Sequence, residues 1–279
     1  MRERAIAFDF DGTLIRSGDD KCVHILYAAY LACPATAFRR YLRLENPAED
    51  VERLLRGLVP YPGAPRFQQL SALMNSLFNG RPVAVDAPAE LHLDPGLAAE
   101  YGEMRRLYDA TYTALNDAAA AAYWRAFPTA LRTIPRLGCV FDLYVASGVP
   151  QALLESELVR HGYSPEEFRA IWGADIKGGR DKAEMLAHIL ERGYRDVLFV
   201  GDATRDLEYA RAAGVKFFRI KGDEDFSSLA RAVHGSEFPD QVVPWAWDET
   251  DLAFFRTKTL RLVEALLAGR PLSPMAAVD

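Results

Sequence analysis

Four short, almost uninterrupted apolar segments constrain the fold of this chain more than any other feature of its sequence. They cover residues 4–10, 139–146, 196–200 and 215–220, and each is rich in strand-forming residues. Strands that are apolar on both faces are typical of parallel sheets covered by helices. Helical apolar spacing follows in residues 151–161 and 182–192, and Ser164 before Pro165 predicts another helix start. This alternation of strand and helix predicts an α/β fold with a parallel sheet.

Residues 16–127 follow a different pattern. Strand-like alternation is nearly absent there, whereas a helix-capping residue precedes proline at Asn46-Pro47 and at Asp94-Pro95. A long helical pattern covers residues 97–126, and the proline-rich stretch 80–93 is typical of a turn between helices. We interpret this region as a helical insertion after the first strand.

Length and charge narrow the class of protein. At about 150 residues per domain, 279 residues allow one large domain with a substantial insertion. The formal net charge of −6 argues against a general nucleic-acid binder, which needs excess basic residues. No apolar run approaches the roughly 18 residues of a membrane span, and Asp9 and Asp11 interrupt the first apolar segment too early for a signal peptide. We therefore expect no membrane and no nucleic-acid partner.

The three cysteines lack the spacing of a zinc site or of a disulfide framework. They are Cys22, Cys33 and Cys139, an odd number without a CxxC pair. This pattern predicts buried free thiols and a cytoplasmic location.

An acidic pair follows the first strand, in the string Asp9-Phe10-Asp11-Gly12-Thr13. Alternation along a strand places Asp9 and Asp11 on one side, at the carboxyl edge of the sheet. Because two close carboxylates repel each other unless a cation separates them, the pair indicates a divalent metal site. Gly12 allows a sharp turn, and Thr13 can donate a hydrogen bond to a carboxylate. The structural alternative is an ordinary acidic turn.

A second acidic pair follows the strand 196–200. Asp202 stands at the end of that strand, and Asp206 lies one helical turn later on the same side. Ligands of parallel α/β sheets bind at this carboxyl edge. Asp206 has a simpler explanation as an acidic residue favoured by the helix dipole.

Two further signals lie at the ends of other elements. Ser147-Gly148 follows the strand 139–146, where a hydroxyl and a backbone N–H can hold phosphate oxygens, although such a pair is often only a turn. Lys182 begins a helix, a position that the helix dipole disfavours for a cation, which indicates that it faces an anion or carboxylates. Lys177 is the competing lysine, and we favour Lys182.

In combination, these motifs resemble those of the haloacid dehalogenase (HAD) superfamily. Its four motifs are matched in order by Asp9/Asp11, Ser147, Lys182 and Asp202/Asp206, and the resemblance covers residues 1–15 and 128–220. It implies a Rossmann-like parallel sheet core formed by residues 1–15 and 128–279, with an inserted α-helical cap domain at residues 16–127. The short gap between Ser147 and Lys182 leaves no room for the alternative cap position.

The resemblance also implies a mechanism. Asp9 is implied to be the nucleophile that forms an aspartyl-phosphate, and Asp11 the general acid and base. Mg²⁺ is implied to bind Asp9, the backbone carbonyl of Asp11, and Asp202, with Asp206 either binding the ion or orienting Lys182.

The phosphoryl oxygens are implied to be bound by the side chains of Lys182 and Ser147, with Gly148 and Thr13 completing the phosphate site. The expected partner is a small phosphorylated metabolite, and the expected reaction is hydrolysis of its phosphate ester. Because relatives that cleave other bonds lack the second acid, the presence of Asp11 favours phosphoryl transfer to water.

Alternatives remain open at this stage. A sugar phosphomutase uses the same core, and His24 stands where such an enzyme would carry a hinge residue. A phospho-acceptor module and a catalytically silent scaffold are the non-enzymatic options. The C-terminal residues predict an amphipathic helix through Leu252, Phe255, Leu260, Val263 and Leu266, which suits either core packing or a dimer contact, so the chain is expected to be a monomer or a homodimer.

Overall fold

A computed structural model describes residues 2–17, 46–58, 102, 106, 124–175, 181–244 and 248–268 of the chain. Within those residues the strands are β1 (Arg4–Phe8), β2 (Asp142–Ala146), β3 (Ala170–Trp172), β4 (Asp196–Gly201) and β5 (Lys216–Arg219). The helices, in chain order, are α1 (Pro47–Leu58), α2 (Pro128–Gly138), α3 (Gln151–Arg160), α4 (Lys182–Leu190), α5 (Thr204–Ala213), α6 (Asp225–Ala232) and α7 (Glu249–Leu267). A short 3₁₀ helix, Pro165–Glu167, precedes β3.

The strands form one parallel sheet in the order β3-β2-β1-β4-β5. β1 lies at the centre, and its residues Ala5 to Phe8 are completely buried, as a strand covered on both faces must be. Both neighbours of β1 are strands that end in predicted site residues. The strand order therefore brings the carboxyl ends of β1, β2 and β4 side by side.

One face of the sheet packs against α4 and α5. Ala5 and Ala7 of β1 share a buried cluster with Leu186 of α4, Leu207 of α5 and Phe199 of β4. Burial of side chains of this size contributes roughly 1.5–3 kcal/mol each. This packing fixes the first turns of α4 and α5, which carry Lys182 and Asp206, against the sheet.

The parallel α/β fold predicted from the sequence is confirmed, with some differences in its elements. The first and second apolar segments form shorter strands than predicted, and β3 was not predicted at all. It is only three residues long and its side chains are half-buried, so it has no continuous apolar signal. The helix predicted to start at Ser164 is limited to the 3₁₀ turn, in which the Ser164 side chain forms no cap.

The chain divides into two compact units, residues 1–17 with 125–245 and residues 18–124 with 246–279. The first is the α/β unit. In the second unit, α1 begins as predicted at Asn46-Pro47 and packs against α7. Arg56 of α1 lies 3.4 Å from Glu249 of α7. Residues 246–279 thus group with the second unit, whereas the sequence analysis assigned them to the core; the identity of the second unit as a cap domain stays a prediction.

The segment that leaves the α/β unit after β1 and the segment that re-enters it before α2 are hydrogen-bonded to each other within that unit. Ile15 and Ala126 form an antiparallel bridge. The amide of Arg16 donates to the carbonyl of Arg125 at 2.8 Å, and the amide of Phe127 donates to the carbonyl of Leu14 at 3.3 Å. The chain therefore leaves the α/β unit after β1 and returns to it before α2 at one hydrogen-bonded bridge.

Several predictions fall outside the described residues. They concern His24, Lys177, Cys22, Cys33, the stretch 80–93 and most of the helical pattern at residues 97–126. Of that pattern, positions 102 and 106 are described as helical, whereas residues 124–126 are not helical and Ala126 instead forms a bridge with Ile15, so the prediction of a helix up to residue 126 is wrong at its end. Cys139 is described, and the prediction that it is buried is wrong: it is an exposed free thiol just after α2. Among the described helices, none is both long and apolar enough to cross a membrane.

Candidate functional site

The candidate site lies at the carboxyl edge of the sheet, where β1 and β4 end next to each other. Asp9 follows β1 directly, and its amide donates to the carbonyl of Val200 on β4 at 2.8 Å. This bond continues the parallel pairing by one residue and fixes the backbone of Asp9. The Asp9 side chain is buried, with only 5% of the residue surface exposed.

Three carboxylates converge at this edge. Asp9, Asp202 and Asp206 each offer an oxygen, and these oxygens lie within 4.8 Å of one another. Asp206, in the first turn of α5, is completely buried, and its Oδ2 accepts a hydrogen bond from the amide of Ala203 at 3.1 Å. Three of the four acids in the two predicted pairs therefore lie together in the structure.

Lys182 connects two of these acids. Its Nζ lies 2.8 Å from Oδ1 of Asp9 and 2.8 Å from Oδ1 of Asp206, and its side chain is 11% exposed. Lys182 is the first residue of α4, whose N-terminus is capped by Asp181 through a 2.9 Å hydrogen bond from the amide of Glu184. The lysine thus faces carboxylates, the orientation that its position at a helix N-terminus predicted.

Burial disfavours the charged forms of both Asp9 and Lys182. It raises the pKa of Asp9 from 3.8 to about 7, because desolvation and the charge of Asp206 outweigh the favourable charge and hydrogen bond of Lys182. Burial alone would lower the pKa of Lys182, but the charges of Asp206 and Asp9 and its hydrogen bonds with both raise it above its usual value. The lysine is therefore a permanent cation, whereas Asp9 needs additional positive charge to remain ionised at neutral pH.

The loop after β1 places the other first-motif residues. The Asp11 side chain is not one of the three clustered carboxylates, and its Oδ1 accepts a 2.5 Å hydrogen bond from the hydroxyl of Ser17. Gly12 has φ of +76°, and a Cβ at this position would overlap the carboxylate of Asp202. The buried hydroxyl of Thr13 donates to Oδ1 of Asp202 at 3.4 Å, in keeping with its predicted bond to a carboxylate.

Ser147 follows β2 on the other side of β1. It is 1% exposed, and its amide donates to the carbonyl of Trp172 at 2.9 Å. Its Oγ accepts a hydrogen bond from the amide of Val149 at 3.2 Å, so the hydroxyl proton can be donated to a ligand. Gly148 is exposed, and among the described residues, its chain neighbours aside, no atom lies within 4 Å of the position a Cβ would take there. An anion could approach its backbone closely.

Two buried residues that support the first-motif loop were not found from the sequence. Ser17 binds Asp11, as described, and is completely buried. The buried Tyr163 donates its hydroxyl to the carbonyl of Leu14 at 2.6 Å. No spacing signal identifies either residue, because the contact that each makes through its side-chain hydroxyl is created by the fold.

The donor set of this site suits a hard divalent cation. Carboxylate oxygens are the ligands that Mg²⁺ prefers. With Asp9 ionised, three carboxylates and one ammonium leave two net negative charges in a buried cluster. A divalent cation would compensate that charge, and Asp9, Asp202 and Asp206 fit the role of its ligands.

Comparison with known proteins identifies the family. A family model for haloacid dehalogenase-like hydrolases matches residues 3–214. Because this match covers more than half of the chain, the chain belongs to the family of haloacid dehalogenase-like hydrolases. A search of curated proteins gives no match.

Solved structures share the fold at low sequence identity. A haloacid dehalogenase-like hydrolase from Streptococcus pneumoniae is 16% identical, with a TM-score of 0.51, over 90% of this chain and 97% of its own. A predicted phosphoglycolate phosphatase from Haemophilus somnus is 17% identical, with a TM-score of 0.52, over 76% and 83%. A predicted phosphatase from Clostridium acetobutylicum is 16% identical, with a TM-score of 0.51, over 94% and 100%.

Proposed function

We propose that this hydrolase is a Mg²⁺-dependent phosphatase that cleaves the phosphate monoester of a small metabolite through an aspartyl-phosphate on Asp9. The observation that carries the proposal is the convergence of Asp9, Asp202 and Asp206 at one sheet edge, with Lys182 in contact with Asp9 and Asp206. Two of the structurally similar proteins are described as phosphatases, and we assign the same reaction class here.

The first step is attack by an oxygen of Asp9 on phosphorus. A bond forms between that oxygen and phosphorus, the ester P–O bond breaks, and Asp11 gives a proton to the departing oxygen. In the second step, Asp11 takes a proton from a water molecule that attacks the aspartyl-phosphate, which releases inorganic phosphate and restores Asp9. The Ser17 hydroxyl, at 2.5 Å from Asp11, holds the carboxyl group that carries this proton.

Charge is the main obstacle to this reaction, because a carboxylate must approach a phosphate dianion. Lys182 supplies one positive charge at 2.8 Å from the nucleophile. Mg²⁺ bound by Asp9, Asp202, Asp206 and the Asp11 carbonyl would supply two more and would favour ionised Asp9. The reaction thus needs cations beside the nucleophile and an ionised Asp9. Both needs fit a site in which burial raises the pKa of Asp9 to about 7.

The phosphoryl oxygens are held by neighbouring elements. Lys182 binds them from α4, and Ser147 donates its hydroxyl proton from the end of β2, since its Oγ already accepts a hydrogen bond from Val149. The backbone of Gly148 adds a donor, and Thr13 supports the site through Asp202. Such donors stabilise the charge that spreads over the transferring phosphoryl group.

Release of p-nitrophenol from p-nitrophenyl phosphate tests the proposal. We expect hydrolysis with Mg²⁺, none after chelation with EDTA, and a loss of at least 100-fold in kcat for Asp9→Asn and Asp206→Asn. Glu208→Gln is the matched control, because Glu208 lies on the same helix as Asp206 with an exposed side chain bound to Arg205. Turnover by Asp9→Asn at the wild-type rate would refute the assignment of the nucleophile. A stable phosphoprotein without turnover would instead favour a phospho-acceptor module.

The substrate is proposed only as a class. The second unit would act as a cap that excludes water and selects small phosphate esters. A screen of sugar phosphates, nucleotides and phosphorylated biosynthetic intermediates identifies the substrate. Return of the phosphate to a sugar, rather than its release into water, would support the phosphomutase alternative.

A further inference from the structure

Two loops at the carboxyl edge of the sheet are joined by hydrogen bonds. We call residues 147–150, between β2 and α3, the Ser147 loop, and residues 173–175 the β3 extension. The amide of Ser147 donates to the carbonyl of Trp172, and the amide of Ala174 donates to the carbonyl of Val149, both at 2.9 Å. The Ser147 loop is therefore paired with β3 and its extension at two positions, Ser147 and Val149.

The side chain of Gln151, the first residue of α3, completes this pairing. Its Oε1 accepts a hydrogen bond from the amide of Gly173 at 2.6 Å, and its Nε2 donates to the carbonyl of Ile171 at 2.9 Å. The second Nε2 proton is directed to Glu155, 2.6 Å away. A side-chain amide supplies both groups, because it carries a carbonyl oxygen that accepts and an NH₂ group that donates. Gln151 thus binds β3 and its extension at two backbone positions, Ile171 and Gly173.

The approach of the two segments is close. A Cβ at Gly173 would lie 2.5 Å from both the amide nitrogen of Gln151 and the carbonyl oxygen of Val149. Oδ1 of Asp175 accepts from the amide of Gln151 at 2.6 Å, which supplies the N-terminal cap that Pro150 lacks. This geometry leaves little freedom for the start of α3.

Val149 transmits the position of Gln151 to Ser147. Its amide holds Oγ of Ser147 at 3.2 Å, and its carbonyl is held by the β3 extension. We propose that Gln151 is a positioning residue, one that orients the Ser147 hydroxyl toward the transferring phosphoryl group through Val149. The inference rests on the proposed phosphatase function and adds a residue that none of the four motifs contains.

A double-mutant cycle tests this role. We expect Gln151→Ala to lower kcat/KM for p-nitrophenyl phosphate by about 10-fold, the effect of two lost hydrogen bonds on a binding group. In a Ser147→Ala background the same change should cost less than about 2-fold, because the group being positioned is gone. Glu155→Ala is the control, since Glu155 contacts the Gln151 amide but not β3, and we expect an effect below about 2-fold.

The cycle separates positioning from simple destabilisation. A purely structural role would lower the fraction of folded enzyme, and therefore kcat/KM, by the same factor in both backgrounds. Equal losses in both backgrounds, or no loss in Gln151→Ala, would overturn the inference while an active wild type preserves the proposed function. An inactive wild type would instead overturn the proposed function, and the inference with it. Urea unfolding of each variant verifies that the proteins compared are folded.

Discussion

Replacement of Asp9 by asparagine should stabilise the metal-free protein at alkaline pH. Asparagine has the shape of a protonated aspartate, so Asp9→Asn removes a buried negative charge and keeps the volume. The difference between the ordinary pKa of 3.8 and the folded value of about 7 corresponds, at roughly 1.4 kcal/mol per pH unit, to about 4 kcal/mol. Since water and side chains relax around a buried charge, we expect Asp9→Asn to be about 2–4 kcal/mol more stable at pH 8.

The sign of the pH dependence follows from where the protons bind. Between pH 4 and 7 the folded protein keeps the Asp9 proton longer than the unfolded chain does. The contribution of Asp9 to the free energy of unfolding therefore falls as pH rises through this window, and it is constant above about pH 7. Near pH 4 the wild type and Asp9→Asn should have the same stability.

Urea unfolding in EDTA, followed by circular dichroism at several values between pH 4 and 8, measures this difference. Glu208→Gln, on the exposed side of α5, should stay within about 0.5 kcal/mol of the wild type at every pH. Added Mg²⁺ should stabilise the wild type, by about 2.7 kcal/mol at 100 times its Kd, and Asp9→Asn by less. A wild type more stable than Asp9→Asn at pH 8 in EDTA would refute the reasoning.

Three further predictions follow from the first-motif loop. Gly12→Ala should lower the free energy of unfolding in urea by at least about 2 kcal/mol and remove most of the activity, because a Cβ there overlaps Asp202. Gly214→Ala is the control: it has a similar positive φ but open space among the described residues, and should lower the free energy of unfolding by only about 1 kcal/mol. Asp11→Asn should slow hydrolysis of an alkyl phosphate about 10-fold more than that of p-nitrophenyl phosphate, whose leaving group needs no proton; equal losses would contradict the general-acid role. Tyr163→Phe should lower stability by about 1–2 kcal/mol, measured as a shift in urea midpoint, since its buried hydroxyl binds the loop carbonyl at 2.6 Å; an unchanged midpoint would show that this bond is dispensable.

The sheet and the cluster of charged residues could be predicted because their signals are local. Continuous apolar segments indicate buried parallel strands, and the residue after each strand lies at the carboxyl edge. That reasoning predicted that Asp9 and Asp202 lie at one edge of the sheet, and the helix dipole indicated that Lys182 faces an anion or carboxylates. It required no knowledge of side-chain geometry.

The supporting contacts could not be predicted in the same way. Gln151 acts on β3 because Gly173 lets two backbones approach closely, and nothing in the spacing of these residues reveals that approach. β3 is too short and too exposed to produce an apolar segment. The association of α7 with α1 could not be predicted either. The hydrophobic pattern shows that each helix has an apolar face, but it does not show which element that face packs against.

The ladder between residues 14–16 and 125–127 has an evolutionary consequence. These two segments are hydrogen-bonded to each other inside the α/β unit. The chain is therefore held at this point by hydrogen bonds of the α/β unit itself. The entropy of closing the intervening chain grows only with the logarithm of its length. Natural variation can therefore lengthen, shorten or exchange the intervening segment with little thermodynamic effect on the sheet. Under the proposed function, selectivity for substrates would change in this way while the residues at the strand ends stay the same.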